Sequence, residues 1–144
     1  MQHEIVNAHD LLLPDGSLAE SGWARKPLLR YNREQICHPP KRLKEWHYFF
    51  CGDENYGFGF VMADIGLIHS FSISFMDFKN KTKIIKGSLC SPKDSIMVMP
   101  EDSYGSLSYR KGGAECQIKG SREKILLTAR WEGFRDKDPL IIDL

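Results

Sequence analysis

The chain has 144 residues, 42% of them apolar and 27% charged, and a net charge of +1; that is long enough to bury one core and too apolar to remain disordered. No apolar run approaches the roughly 20 residues that span a bilayer, and Met1 to Asp10 has neither a basic start nor a continuous apolar stretch, so no membrane span and no secretory leader are expected and the location is taken as cytoplasmic. Near-neutral charge without a basic stripe interleaved with aromatics also argues against nucleic acid as a partner.

The charge is uneven along the chain. Residues 1–22 carry Glu4, Asp10, Asp15 and Glu20 with no Lys or Arg, whereas residues 23–44 carry Arg25, Lys26, Arg30, Arg33, Lys41, Arg42 and Lys44 against Glu34 alone. The basic stretch either faces an anionic partner, lies over the protein's own acidic surface or is simply solvated. Pro14-Asp15-Gly16-Ser17 is a turn signal, Pro27 is placed to start a short helix through Leu28 to Gln35, and Pro39-Pro40 ends any helix. Residues 1–41 therefore read as an irregular, basic N-terminal arm.

Residues 42–144 read as strands joined by turns. Leu43 to Cys51 is rich in aromatics, Gly52-Asp53-Glu54-Asn55 is a hairpin loop, and Tyr56, Phe58, Phe60 and Met62 alternate with Gly57, Gly59, Val61 and Ala63. Leu67 to Phe78 then sets Leu67, Phe71, Ile73 and Phe75 against Ser70, Ser72 and Ser74, a period of two that only an extended strand converts into one apolar and one polar face. At about 3.3 Å per residue it would run roughly 40 Å and would have to twist and coil. Further strands are expected at Thr82 to Leu89, Ile96 to Met99, Tyr104 to Arg110, Ala114 to Lys119, Ile125 to Trp131 and Leu140 to Leu144. With no amphipathic helix between them, the expected fold is all-β: an antiparallel meander of about nine strands forming a barrel or half-barrel.

Gly22-Trp23-Ala24-Arg25-Lys26-Pro27-Leu28-Leu29-Arg30-Tyr31-Asn32, followed by Leu43-Lys44-Glu45-Trp46 and Ala63-Asp64-Ile65-Gly66, resembles the opening of the bacterial family called domain of unknown function 2804. The resemblance covers nearly the whole chain and is most specific in its first motif. Members are commonly longer, so the resemblance is to their N-terminal half and makes Leu140 to Leu144 a mid-protein strand. The family is distantly similar to two-domain, lipocalin-like proteins that include the carotenoid hydratase and tocopherol cyclase groups. That similarity implies a calycin-type β-barrel and an apolar, isoprenoid-like ligand. No catalytic motif of those enzymes matches a position here, so it implies no catalytic residue.

The aromatic residues are the feature above background. Trp46, Tyr48, Tyr56, Phe58, Phe60, Phe71, Phe75 and Trp131, with Ile73 and His69, form the candidate ligand-binding set. They either fill the barrel or line an apolar cavity inside it. His69 shares a strand face with Phe71, Ile73 and Phe75, as a rim histidine of the core or as a general acid or base. Asp64 and Asp77 bracket the long strand and suit turn chemistry. Cys37-His38, His47 and Cys51 have zinc-ligand chemistry but no finger spacing, so neither metal nor cofactor is expected, and the four cysteines read as reduced thiols.

The expected function is a lipocalin-like β-barrel domain that binds an apolar small molecule or serves as the structural half of a longer two-domain protein. The alternative is an enzyme of hydratase or cyclase type, acting on an isoprenoid or lipid by acid–base chemistry through His69 or Asp64. The apolar Leu140 to Leu144 strand, as a sheet edge, is also a candidate for homodimerisation by strand pairing.

Overall fold

A computed structural model describes residues 2–94, 97–102 and 104–144. The chain divides into two compact units, Met1–Pro39 and Pro40–Leu144.

In the first unit two short strands, β1 (His9–Asp10) and β2 (Leu29–Arg30), pair in parallel. The expected helix through Leu28 to Gln35 shrinks to a single 3-10 turn at Arg33–Gln35. Leu29 and Arg30 are taken by the pairing with β1, and the Asn32 side chain accepts the Glu34 N–H at 2.8 Å, closing a local turn in place of a longer helix. The acidic and basic stretches meet here: Arg25 reaches Glu4 and Arg30 reaches Asp10, each at 2.8 Å. Glu20 takes both the His3 and His9 rings, His9 at 2.7 Å. The Asp10 carbonyl, together with Glu20, holds His9 above its usual range.

The second unit is all-β and antiparallel, as expected. Its strands are β3 (Glu45–Gly52), β4 (Tyr56–Asp64), β5 (His69–Asp77), β6 (Thr82–Cys90), β7 (Leu107–Lys111), β8 (Ala114–Gly120), β9 (Ile125–Arg135) and β10 (Asp138–Asp143). They form two four-stranded meanders, ordered β3-β4-β5-β6 and β10-β9-β8-β7. The expected barrel is therefore not closed. It stays open between β3 and β10, which do not pair, and after β6, where residues 91–106 carry Pro92 and Pro100, which cannot donate to a ladder. Of the strand expected at Ile96 to Met99, Ile96 lies outside the described residues; Met97 and Met99 belong to no strand and are buried in the core.

The long strand is also shorter than its apolar rhythm suggested. Gly66, at φ +84°, and the Ile65 N–H bonded to the Ile68 carbonyl at 3.0 Å turn the chain, so Leu67 stays exposed and β5 starts at His69. Aspartates set the hairpins: Asp53 accepts the N–H groups of Asn55 and Tyr56 at 2.7 and 2.9 Å, and Asp77 accepts that of Asn80 at 2.9 Å. These bonds hold both carboxyls below the usual range.

Both sheets bury one face in a shared apolar cluster. Phe60, Met62, Phe71 and Ile73 come from the first sheet, and Tyr109, Cys116, Ile118 and Trp131 from the second. A hydrogen bond of 2.7 Å between Ser88 of β6 and Tyr109 of β7 ties the two sheets where no ladder does. Among the described residues no helix is long and apolar enough to cross a membrane.

Candidate functional site

The strand register sorts the candidate residues. In antiparallel strands directly opposed residues share a face. Phe58 opposes Phe75, Phe60 opposes Ile73, and Met62 opposes Phe71, so these six point between the sheets. Trp131 meets them from the second sheet, its ring 5.5 Å from that of Phe71, which also packs 5.4 Å from Tyr109. Phe60, Phe71, Ile73 and Trp131 are buried here, and their side chains fill the space between the sheets.

At one end of this face the rings come to the surface. Tyr56 stacks on Phe75 at 5.8 Å, Phe75 tilts against Phe58 at 5.1 Å, and Phe58 stacks on Phe60 at 6.4 Å. Exposure along this run falls from 47% at Tyr56 to 0% at Phe60. Phe49 and Ile84, opposed to Phe60 and Phe75 across the sheet, are partly buried against the same core. The result is a stacked run of rings graded from solvent to the packed core, termed its aromatic mouth.

Trp46 and Tyr48 lie elsewhere. Phe49 opposes Phe60 and shares the inner face with Glu45, His47 and Cys51, so Trp46, Tyr48 and Phe50 all stand on the opposite face of the sheet. They cannot line a space shared with Phe71 and Trp131.

His69 sits at the other end of the inner face. The register places Glu45, Asp64, His69 and Cys90 in one row across four strands. His69 is only 4% exposed, its Nε2 lies 3.8 Å from Asp64 Oδ2, and Asp64 Oδ1 accepts the Gly66 N–H at 2.8 Å. Tyr109 reaches both Cys90 and Ser88 from β7, and burial pushes its hydroxyl pKa up. A polar string thus enters the core from its edge. The sequence singled out His69 and Asp64 but not Cys90, Ser88 or Tyr109. The alternation of Ser88 and Cys90 carried the inward-facing signal, but their partner is 19 residues or more further on.

The outer face of the second sheet is chemically unlike all of this. It is an open groove lined by Arg110, Glu115, Gln117, Thr128 and Arg130, with Arg110 paired to Glu115 at 2.5 Å. The four cysteines are free. Cys37 and Cys51 are exposed, Cys90 and Cys116 are buried, and burial pushes the Cys116 thiol up to about 12, so it carries no nucleophile at neutral pH.

No curated protein and no solved structure matches this chain. The model of one protein family, domain of unknown function DUF2804, matches residues 2–144. The motifs around Trp23 and Trp46 and the antiparallel sheets they lead into are thus those of a DUF2804 domain, and the chain belongs to that family.

Proposed function

We propose that this domain is a lipocalin-like binding module, without catalysis of its own, that holds an apolar small molecule such as a lipid or isoprenoid at the aromatic mouth of Tyr56, Phe58 and Phe75. The observation that carries this reading is the stacked run from Tyr56 to Phe60, which offers flat apolar surface to solvent at one end and a packed core at the other. Ligand sites of this type favour the ends of β-barrels, with aromatic walls and few polar anchors. The eight strands β3 to β10 also follow one another up and down without a crossover, as in a lipocalin barrel, though here as two sheets with neither β6 paired to β7 nor β10 to β3.

The test is a thermal-shift screen with fatty acids, retinoids and carotenoids. A ligand at about a hundred times its Kd stabilises the fold by about 2.7 kcal/mol. The expected result is a shift with at least one of these classes that Tyr56→Ala and Phe75→Ala abolish. No shift with any class, or a shift that both variants retain, defeats the reading.

One observation favours a second reading: the buried His69 faces Asp64 beside Cys90 and Tyr109, an arrangement suited to moving a proton. Here the domain contributes acid–base chemistry on an isoprenoid or lipid. If neither His69→Gln nor Asp64→Asn alters turnover of such a substrate, that reading fails.

A further inference from the structure

The outer face of the first sheet is unusual for a surface. On β3, Trp46, Tyr48 and Phe50 are 64%, 57% and 52% exposed. On β6, Ile85 and Leu89 are exposed as well. Between them run Ser70, Ser72 and Ser74 of β5. The only charged side chain that the strand register places on this face, among the described residues, is Lys83 at one end.

Relief on this face follows from the glycines. A Cβ on Gly57 would come within 2.8 Å of the Phe50 ring, and one on Gly59 within 3.0 Å of the Tyr48 hydroxyl. The β3 rings therefore lie down over β4 and build a ridge. Gly87 differs from these. Its backbone is not left-handed, and a Cβ there would meet nothing closer than Ser72 at 3.9 Å. The fold does not require a glycine at 87, and a glycine inside a strand weakens it. Such a position marks a place where something approaches closely. Gly87, with Ser72 opposite it and Ile85 and Leu89 on either side, forms a notch in a trough that runs beside the ridge.

We propose that this face pairs with the same face of a second copy of the chain, the Tyr48 ridge of each copy seated in the Ser72–Gly87 notch of the other. Tyr48, Val61, Ser72 and Gly87 form one row across the sheet. A two-fold axis lying between stacked sheets and running along the strands carries one side of each row onto the other. It therefore places ridge in trough twice, as an isologous interface requires. Four strands about 4.8 Å apart and some nine residues at about 3.3 Å give a footprint of roughly 570 Å² before side-chain relief is added. Serines and glycines included, that approaches the roughly 800 Å² per partner of a standard interface. It exceeds what a small ligand covers. Aromatic enrichment with almost no charge is also the composition of an interface centre.

Light scattering on the intact chain is the first test, with a mass of twice 16.5 kDa expected. Gly87→Arg puts a charge into the notch where the fold leaves room for a side chain, so the variant is expected to be a monomer with an unchanged far-UV spectrum. Should it fail to fold, cross-linking decides. Tyr48→Cys with Gly87→Cys, in a Cys37→Ser, Cys51→Ser background, is expected to give a covalent dimer on oxidation. The pair cannot close within one chain, because three strand spacings, about 14 Å, separate the two positions against a limit of about 7 Å. A wild-type monomer at millimolar concentration overturns the proposal. So does a dimer untouched by Gly87→Arg, or one that cross-links through Ile141→Cys on the β10 edge and not through 48 and 87.

Discussion

The sheets β3–β6 and β7–β10 turn like faces inward and unlike faces outward. Inside, each contributes large apolar side chains to one cluster, Phe60 and Phe71 from the first, Tyr109 and Trp131 from the second. Outside, the second sheet carries Arg110, Glu115, Lys119, Arg130 and Glu132, the solvated surface expected of a sheet with one wet side. The first carries Trp46, Tyr48, Phe50, Ile85 and Leu89 instead. The same connectivity and strand number thus support two different surfaces. Folding accounts for the inner faces of both, but burial within Pro40–Leu144 gives the first sheet no reason for an aromatic exterior. That residual is what points beyond the sheets themselves.

The comparison breaks most sharply at the core. Phe71→Ala removes a ring packed on Tyr109 and Trp131 and leaves a cavity between the sheets, so it is expected to cost about 3–5 kcal/mol in chemical denaturation. Tyr48→Ala, on the outside of the same sheet, is expected to cost a small fraction of that in a dilute monomer. Equal losses from the two would mean that the faces are not distinguished by burial in the way described.

Alkaline pH tests the inner face of the second sheet. The fold raises the Cys116 thiol from 9.0 to about 12, so the native state keeps a proton that the unfolded chain loses. Stability contributed by the neutral thiol is then present below pH 9 and lost as the pH rises from there to about 12, on the order of a few kcal/mol. Cys116→Ala should flatten that fall. Labelling gives an independent check: at about pH 8, Cys37 and Cys51 react in the native protein, and Cys116 reacts only on unfolding.

How much of this could be read from the sequence depended on whether a feature was local. The two-residue rhythms of Phe71, Ile73 and Phe75, and of Ala114, Cys116 and Ile118, announce strands and their buried side without reference to anything else. The hairpin aspartates Asp53 and Asp77 are equally local. In β3 the rhythm fails as a guide, because Tyr48, Phe49 and Phe50 put aromatics on both faces. Only the pairing of Phe49 with Phe60 decides which side is inside, and so excludes Trp46 and Tyr48 from the interior. The open seam after β6 is likewise a question of which strands fail to meet. Pro92 and Pro100 were visible, but their consequence depended on pairing. For His69, the short turn from Asp64 through Gly66 fixes the cross-strand partner, whereas Tyr109 reaches Cys90 and Ser88 only through the packing of the second sheet.

A subtler change sharpens the account of how the sheets are joined. Tyr109→Phe keeps the ring and removes the hydroxyl that meets Ser88 across the seam. The loss is expected to be about 1 kcal/mol, because the half-buried Ser88 hydroxyl is left without that partner. Ser88→Ala in the Tyr109→Phe background should restore part of it. If Tyr109→Phe is neutral, the seam is held by apolar contact alone.

The smallest effect is expected on the charged exterior, and it bears directly on the contrast between the two outer faces. Arg110 and Glu115 are directly opposed across β7 and β8, but their side chains are 79% and 48% exposed. Solvent screens such a pair and side-chain entropy opposes it, so Arg110→Ala should shift the unfolding midpoint by less than about 0.5 kcal/mol, with the shift vanishing in high salt. Protein concentration separates this face from its counterpart. If Tyr48 is buried against a second copy, the wild-type midpoint rises with concentration by mass action. Arg110→Ala keeps that dependence and Tyr48→Ala removes it. A midpoint that ignores concentration in all three proteins would leave the aromatic exterior of the first sheet as solvent-facing surface, no different in kind from the charged one.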